Sequence, residues 1–193
     1  VNRLLATAYP DDVRPWMESH VPPGFWDEGA NRRDAVQWLV EGELGIPAGR
    51  IAEAVRDRKI TKRAFREAGL TWLLSHVYRW SVPDALAEGY PLLRLWERTR
   101  RIPKAYWSGD EGRERARDAV RWACVRSGVA ADELRTPNAS ALLRGVLKPW
   151  RLTAAFKEGF DGDIVAALDA AFPEEFEPWE VSRVPRAAWK DDA

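Results

Sequence analysis

The amino-acid sequence predicts an all-α protein: two tandem units of about five short helices, joined by extended straps rich in Trp and Pro. Two observations lead to this fold class. Apolar residues recur at helical spacing along most of the chain, and no stretch alternates apolar and polar residues as a half-buried strand does. The sequence also repeats itself with a period of about 81 residues, because Tyr9-Pro10 returns as Tyr90-Pro91 and again as Phe172-Pro173.

The repeat divides the chain into five segments. Residues 1–26 hold the end of a preceding unit and a first junction, residues 27–91 form the first repeat, and residues 92–107 form a second junction. Residues 108–173 form the second repeat, and residues 174–193 begin a third junction. Since the chain starts within one unit and stops within a junction, we expect it to be part of a longer array.

Five helices are predicted in the first repeat, with limits set by capping and stop signals. They cover about 27–43, 47–55, 61–69, 70–79 and 81–90. Gly45 ends the first helix and Pro47 begins the second. Thr61 caps the third helix and Ser81 caps the fifth, where Asp84 completes the pattern of a capping box.

The second repeat predicts the same five helices, over about 110–127, 130–136, 138–147, 149–158 and 163–171. Asn138 and Asp161 are the predicted caps. Sequence comparison pairs Trp72-Leu73-Leu74 with Trp150-Arg151-Leu152, and ten of the eleven Trp then recur. Only Trp80 has no equivalent. We expect the recurring Trp to be core residues, with a cation cage or a base-stacking platform as the open alternatives.

The junctions share a Trp followed closely by Glu. Because Pro restricts both its own backbone and that of the residue before it, each junction is expected to be extended rather than helical. The Glu residues beside the junction Trp are Glu18, Glu97 and Glu180. They are separated by whole repeats, so a structural hydrogen bond near a helix N-terminus explains them better than acid–base chemistry.

Composition and motifs argue against several classes of protein. Thirty basic and thirty acidic residues give a net charge of zero, and the single Cys excludes an internal disulfide, which favours a cytoplasmic location. His20 and His76 have no partner at metal-ligand spacing, and we expect Cys124 to pack as a small hydrophobe. No phosphate loop or membrane-spanning run is present. We therefore expect no cofactor, no metal and no membrane insertion.

Local charge points to nucleic acid. Basic residues cluster in the middle of the chain, while the last twenty residues are acidic. Clustered Lys and Arg on short helices are typical of a phosphate-binding surface. We predict a non-catalytic module that binds nucleic acid, with duplex DNA favoured, through Arg56, Arg58, Lys59, Lys62, Arg63, Arg66, Arg98, Arg100, Arg101 and Lys104. The corresponding region 135–148 holds only Arg135, Arg144 and Lys148, so the two repeats would contribute unequally.

Three alternatives remain open at this stage. The first is an ordinary solvated face, on which Glu114 and Asp118 pair with Arg117 and Arg121 three residues on. The second is a protein–protein scaffold that uses the acidic segment 174–180. The third, which we disfavour, is an enzyme, whose cleft would need residues that do not recur, such as His76, Trp80 and Asp34.

The junctions resemble those of bacterial tandem repeats that carry a domain-of-unknown-function label. Those units end in an Ala-Leu helix, followed by Ala-Tyr-Pro, Pro-Trp-Glu, Val-Pro and a Trp. The matching residues here are Ala85-Leu86, Tyr90-Pro91, Trp96-Glu97, Ile102-Pro103 and Trp107, and then Phe172-Pro173, Pro178-Trp179-Glu180, Val184-Pro185 and Trp189. The resemblance covers the whole chain, with Gly89, Leu95 and Phe172 as departures, and implies no activity.

A second resemblance is to helical repeats found beside homing endonucleases. It rests on an aromatic residue, a Ser and an Ala-Leu helix, here Tyr78, Ser81, Ala85 and Leu86. That resemblance implies DNA binding. The pattern is short, and a Ser-capped amphipathic helix produces it as well.

Overall fold

A computed structural model describes residues 14–17 and 21–181, and every regular element within these ranges is helical. The predicted all-α class is therefore confirmed. The chain divides into two compact units, unit 1 (Val1–Arg100) and unit 2 (Arg101–Ala193). The boundary falls inside the junction that the sequence places at 92–107.

Unit 1 is built from short helices joined by tight turns. The α-helices are α1 (Gly29–Gln37), α2 (Ile51–Arg56), α3 (Lys62–Glu67), α4 (Val82–Gly89) and α5 (Leu95–Arg98). Two π-helical segments, Trp38–Glu43 and Leu73–Val77, extend this set, and 3₁₀ turns lie at Pro15–Met17, Phe25–Asp27 and Ala48–Arg50. The first helix thus covers the range predicted for it, with a π-helical second half.

Helices α1 and α4 pack closely because α4 ends on a glycine. A Cβ on Gly89 would lie 2.6 Å from Cγ1 of Val36, so only glycine permits this approach. The Gln37 side-chain amide donates to the Gly89 carbonyl at 2.8 Å, and Arg32 pairs with Glu88 at 2.8 Å. The core of unit 1 is apolar and fully buried, with Val36, Leu39, Phe65, Leu73, Leu74 and Leu86 among its members.

Unit 2 is organised around one long helix. It contains a 3₁₀ turn at Lys104–Trp107, helix α6 (Gly109–Ser127), a 3₁₀ turn at Asp132–Leu134, and helices α7 (Ala139–Leu147), α8 (Thr153–Gly159), α9 (Ile164–Ala171) and α10 (Pro178–Val181). Helices α7, α8 and α9 all pack against α6. Their close approach depends on small side chains, since a Cβ on Gly159 would collide with that of the buried Ala116.

The junctions differ from the extended straps that the sequence predicts. Leu95–Arg98 and Pro178–Val181 each form a single helical turn that contains the Trp-Glu pair. The Glu97 carboxylate accepts a hydrogen bond from the Arg94 N–H at 3.0 Å, and Glu180 does the same for Glu177 at 3.0 Å. This local bond stabilises the first turn of each helix, which the Pro argument overlooked. The structural role predicted for Glu97 and Glu180 is confirmed, whereas Glu18 lies outside the described residues.

The predicted caps are correct at two positions and wrong at two others. The Thr61 hydroxyl accepts from the Ala64 N–H, and Ser81 accepts from Asp84, both at 3.3 Å. Asn138 makes no side-chain capping bond. Asp163 replaces Asp161 as the cap of α9, because its carboxylate reaches the N–H groups of the second and third helical residues.

Cys124 is fully buried on α6, as its apolar surroundings predict. Burial raises the pKa of the thiol from 9.0 to about 11. The unfolded thiol therefore ionises first, and stability is lost as pH rises between these values. We expect the unfolding free energy of the wild type, relative to Cys124→Ala, to fall by about 1 kcal/mol between about pH 8 and about pH 10. Urea denaturation at the two pH values measures this difference, and a constant difference would contradict it.

Candidate nucleic-acid interface

Four of the ten predicted basic residues form an exposed group in unit 1. Arg58, Lys59, Lys62 and Arg66 are all solvent-exposed, and we call this group the basic surface. Among the described residues, none of the four makes an ion pair with a carboxylate. Their charges are therefore available to an anionic partner.

The fold presents the basic surface through the loop and helix that follow α2. Arg58 adopts the left-handed conformation, with φ at 60°, and turns the chain out of α2. Ile60, Ala64 and Phe65 are buried and hold the segment onto the core. Because α3 is amphipathic, the burial of Ala64 and Phe65 places Lys62 and Arg66 in solvent.

Other predicted site residues are engaged within their own units. Arg56 bonds its neighbour Asp57 at 2.9 Å, and this hydrogen bond lowers the pKa of the Asp57 carboxyl. Arg63 pairs with Glu67 at 2.7 Å, one turn along α3. Arg98 is half-buried and donates to the Pro83 carbonyl at 3.2 Å, which links α5 to the start of α4.

The remaining three lie at or beyond the boundary between the units. Arg100 is half-buried at the end of unit 1, while Arg101 and Lys104 are exposed and belong to unit 2. Lys104 lies 3.9 Å from Glu158. The solvated face considered for α6 is present in part, since Glu114 pairs with Arg117 at 2.7 Å, although Asp118 also pairs with Arg117 rather than with Arg121.

A tight turn before α4 places Trp80 at the surface. Arg79 and Trp80 are consecutive left-handed residues, with φ at 48° and 65°. The Trp80 N–H donates to the Leu74 carbonyl and the Ser81 N–H to that of Tyr78, both at 2.7 Å. The indole is 46% exposed. The Lys62 ammonium lies 6.0 Å from the ring centre, which joins Trp80 to the basic surface.

Unit 2 contains a turn with the same hydrogen bonds, each 82 residues later. Gly162 donates to Phe156, and Asp163 donates to Phe160. The left-handed residues there are Asp161 and Gly162, with φ at 51° and 72°. Unit 2 thus has a glycine at the position that Trp80 occupies in unit 1.

The same spacing changes how the two sequences are matched. Leu70 donates to Phe65 in unit 1, and Leu152 donates to Leu147 in unit 2, again 82 residues later. This register corrects the pairing of Trp72 with Trp150, because Ala154 now corresponds to Trp72. The sequence comparison gave a different register because an aromatic match outweighed the backbone pattern, which the sequence alone does not show.

Core packing is confirmed for Trp16, Trp26, Trp96 and Trp107, which are buried. It is wrong for Trp72, which is 51% exposed and stacks on His76 at 4.6 Å between ring centres. Trp72 and Trp80 are the exposed Trp of the described chain, and neither has a Trp counterpart in unit 2. The earlier register concealed Trp72, although it singled out Trp80.

Each unit also has a surface cavity. A cavity of about 520 Å³ in unit 2 is lined by Lys104, Arg144, Phe156 and Gly162, among others. A cavity of about 410 Å³ in unit 1 is lined by Asp34, Trp38 and Glu41, among others. Neither His76 nor Trp80 lines the second cavity, so the three residues suggested for an enzyme cleft do not converge there.

Within residues 14–17 and 21–181, no group of three or more His, Cys, Asp and Glu side chains is arranged to hold a metal ion. In the same ranges, no helix has the length and apolar character needed to cross a membrane. Comparison with protein-family models, curated proteins and solved structures gives no match. The functional argument therefore depends on the geometry of this chain.

Proposed function

We propose that this protein is a non-catalytic module that binds nucleic acid through the basic surface of unit 1. The observation that carries the proposal is the exposure of Arg58, Lys59, Lys62 and Arg66 on one short segment, without an ion pair to any described carboxylate. Phosphate contacts by such residues release condensed counterions. This release favours binding at low salt.

The size of α3 limits the kind of contact. A helix of six residues is about 9 Å long, which is too short to present a full recognition face in a groove. Contacts to phosphates suit this geometry better than contacts to base edges. Duplex DNA, the polymer that the sequence favours, would then be bound with little dependence on base sequence.

We also propose that units 1 and 2 are copies of one fold within a longer array. The matching hydrogen bonds of the two turns support this arrangement. At the same spacing, Arg144 and Lys148 correspond to Lys62 and Arg66, whereas Ser140 and Ala141 correspond to Arg58 and Lys59. Unit 1 would therefore carry most of the binding.

The test removes charge from the basic surface without reversing it. We expect the triple variant Arg58→Gln, Lys59→Gln and Arg66→Gln to lose affinity for labelled DNA by about tenfold or more at about 50 mM salt. The slope of log affinity against log salt should also fall by about one for each lost contact. Fluorescence anisotropy on duplex and single-stranded DNA measures both quantities.

The matched control removes the same charge from unit 2. Arg121, Arg126 and Arg151 are exposed, and Arg151 shares the left-handed φ of 60° with Arg58. Their triple Gln variant should bind nearly as the wild type does. Equal losses in both variants would show a net-charge effect and contradict the assignment of the surface. No binding by the wild type at low salt would overturn the proposed function.

The protein scaffold is the alternative function, and its predicted site is less accessible than the sequence suggests. Arg135 donates to the Glu175 carbonyl at 2.9 Å, approaches Glu180 at 3.7 Å, and lies over the Phe176 ring. These contacts hold part of the acidic segment 174–180 against its own unit. We therefore rank the scaffold below the nucleic-acid proposal.

A further inference from the structure

Trp80 occupies a backbone position that is unfavourable for it. A bulky aromatic residue at φ of 65° is an outlier, because the left-handed region brings Cβ close to the backbone. Such outliers persist where the surrounding structure enforces them, and they cluster at binding sites. The strained conformation is therefore a reason to look for a function of this side chain.

The turn itself does not require a Trp. In unit 2 the same two hydrogen bonds close the same turn around Gly162, the residue that fits this conformation without strain. Nor is the indole a core residue, since 46% of Trp80 remains exposed. Neither turn geometry nor core packing explains its presence.

Several exposed groups of unit 1 occupy one surface together with Trp80. In unit 2, Arg144, Ala154, Glu158, Asp161 and Gly162 all line a single cavity. The residues 82 positions earlier are Lys62, Trp72, His76, Arg79 and Trp80. The contacts of Lys62 with Trp80 and of Trp72 with His76 agree with this placement.

We propose that Trp80 is a stacking platform for an unpaired base of single-stranded nucleic acid, whose phosphates are bound by Lys62 and the rest of the basic surface. A flat, exposed indole beside a basic groove is how proteins bind single strands without reading sequence. A paired base cannot offer its face in this way. The inference rests on the proposed function and changes the preferred polymer from duplex to single strand.

The test is Trp80→Gly, which removes the indole and relieves the backbone at the same time. We expect its affinity for a labelled oligothymidine to fall about tenfold, while its affinity for duplex DNA changes less than twofold. Trp80→Phe should retain most of the single-strand affinity because it keeps a ring. In urea denaturation, Trp80→Gly should be more stable than Trp80→Ala, since glycine fits the turn.

Glu174→Gly is the matched control, because Glu174 is exposed and has the same φ of 65°. It relieves an equivalent backbone position without removing an aromatic ring, so single-strand binding should not weaken. Unchanged oligothymidine affinity in Trp80→Gly, with a loss in the basic-surface triple variant, would overturn the stacking inference and leave the proposed function standing. Equal losses on both polymers would also overturn it. Wild-type affinity in both variants would remove both proposals.

Discussion

Replacing Trp107 with Ala is expected to lower the free energy of unfolding by about 3–5 kcal/mol. Trp107 is 1% exposed and is among the largest fully buried side chains of the described chain. It ends the 3₁₀ turn that packs against α6 and α8, and Tyr106 meets its ring edge to face at 4.9 Å. The substitution would leave a cavity bounded by backbone on two sides, which limits collapse around it.

Urea denaturation followed by far-ultraviolet circular dichroism measures this loss. Trp72→Ala is the matched control, because it deletes the same side chain from a position that is 51% exposed. We expect the control to lose about 1 kcal/mol or less. Similar losses in both variants would show that Trp107 does not anchor the turn.

The second large effect is expected for Gly112→Ala, at about 2–3 kcal/mol of lost stability. A Cβ on Gly112 would collide with the Trp107 carbonyl group, with its oxygen only 2.5 Å away. The obstacle is backbone rather than a flexible side chain, so the 3₁₀ turn itself would have to shift. The substitution adds one methyl group where α6 leaves no room for it.

Gly145→Ala gives the opposite expectation from the same chemical change. Gly145 lies on the exposed side of α7, and a Cβ there would have nothing within 4 Å. Alanine stabilises a helix interior relative to glycine by about 0.5–1 kcal/mol. The same denaturation experiment compares the two variants. A Gly112→Ala protein as stable as Gly145→Ala would show that the turn moves freely.

Comparison of the candidate site before and after the structure shows what burial adds. The sequence located a cluster of ten basic residues, and the structure separates them by environment. Arg98 is a half-buried link to Pro83, Arg63 is paired with Glu67, and Lys62 lies beside an exposed indole. These differences arise from which face of each short helix packs inward, which charge counting does not reveal.

The sequence by itself determined the features that depend on neighbouring residues. The helical class, the caps at Thr61 and Ser81, and the burial of Cys124 all follow from local spacing and side-chain chemistry. The helical turns at Glu97 and Glu180 were missed, because the restriction imposed by Pro was weighed without the hydrogen bond that each carboxylate makes.

Only the tertiary structure decided which residues without counterparts reach the surface. The register between the turns follows from backbone hydrogen bonds, and it shows Trp80 in a left-handed position where unit 2 has Gly162. Sequence similarity cannot supply this, because a single aromatic match can outweigh the backbone pattern. Exposure and conformation depend on long-range packing, and those two properties distinguish Trp80 from the buried Trp of the core.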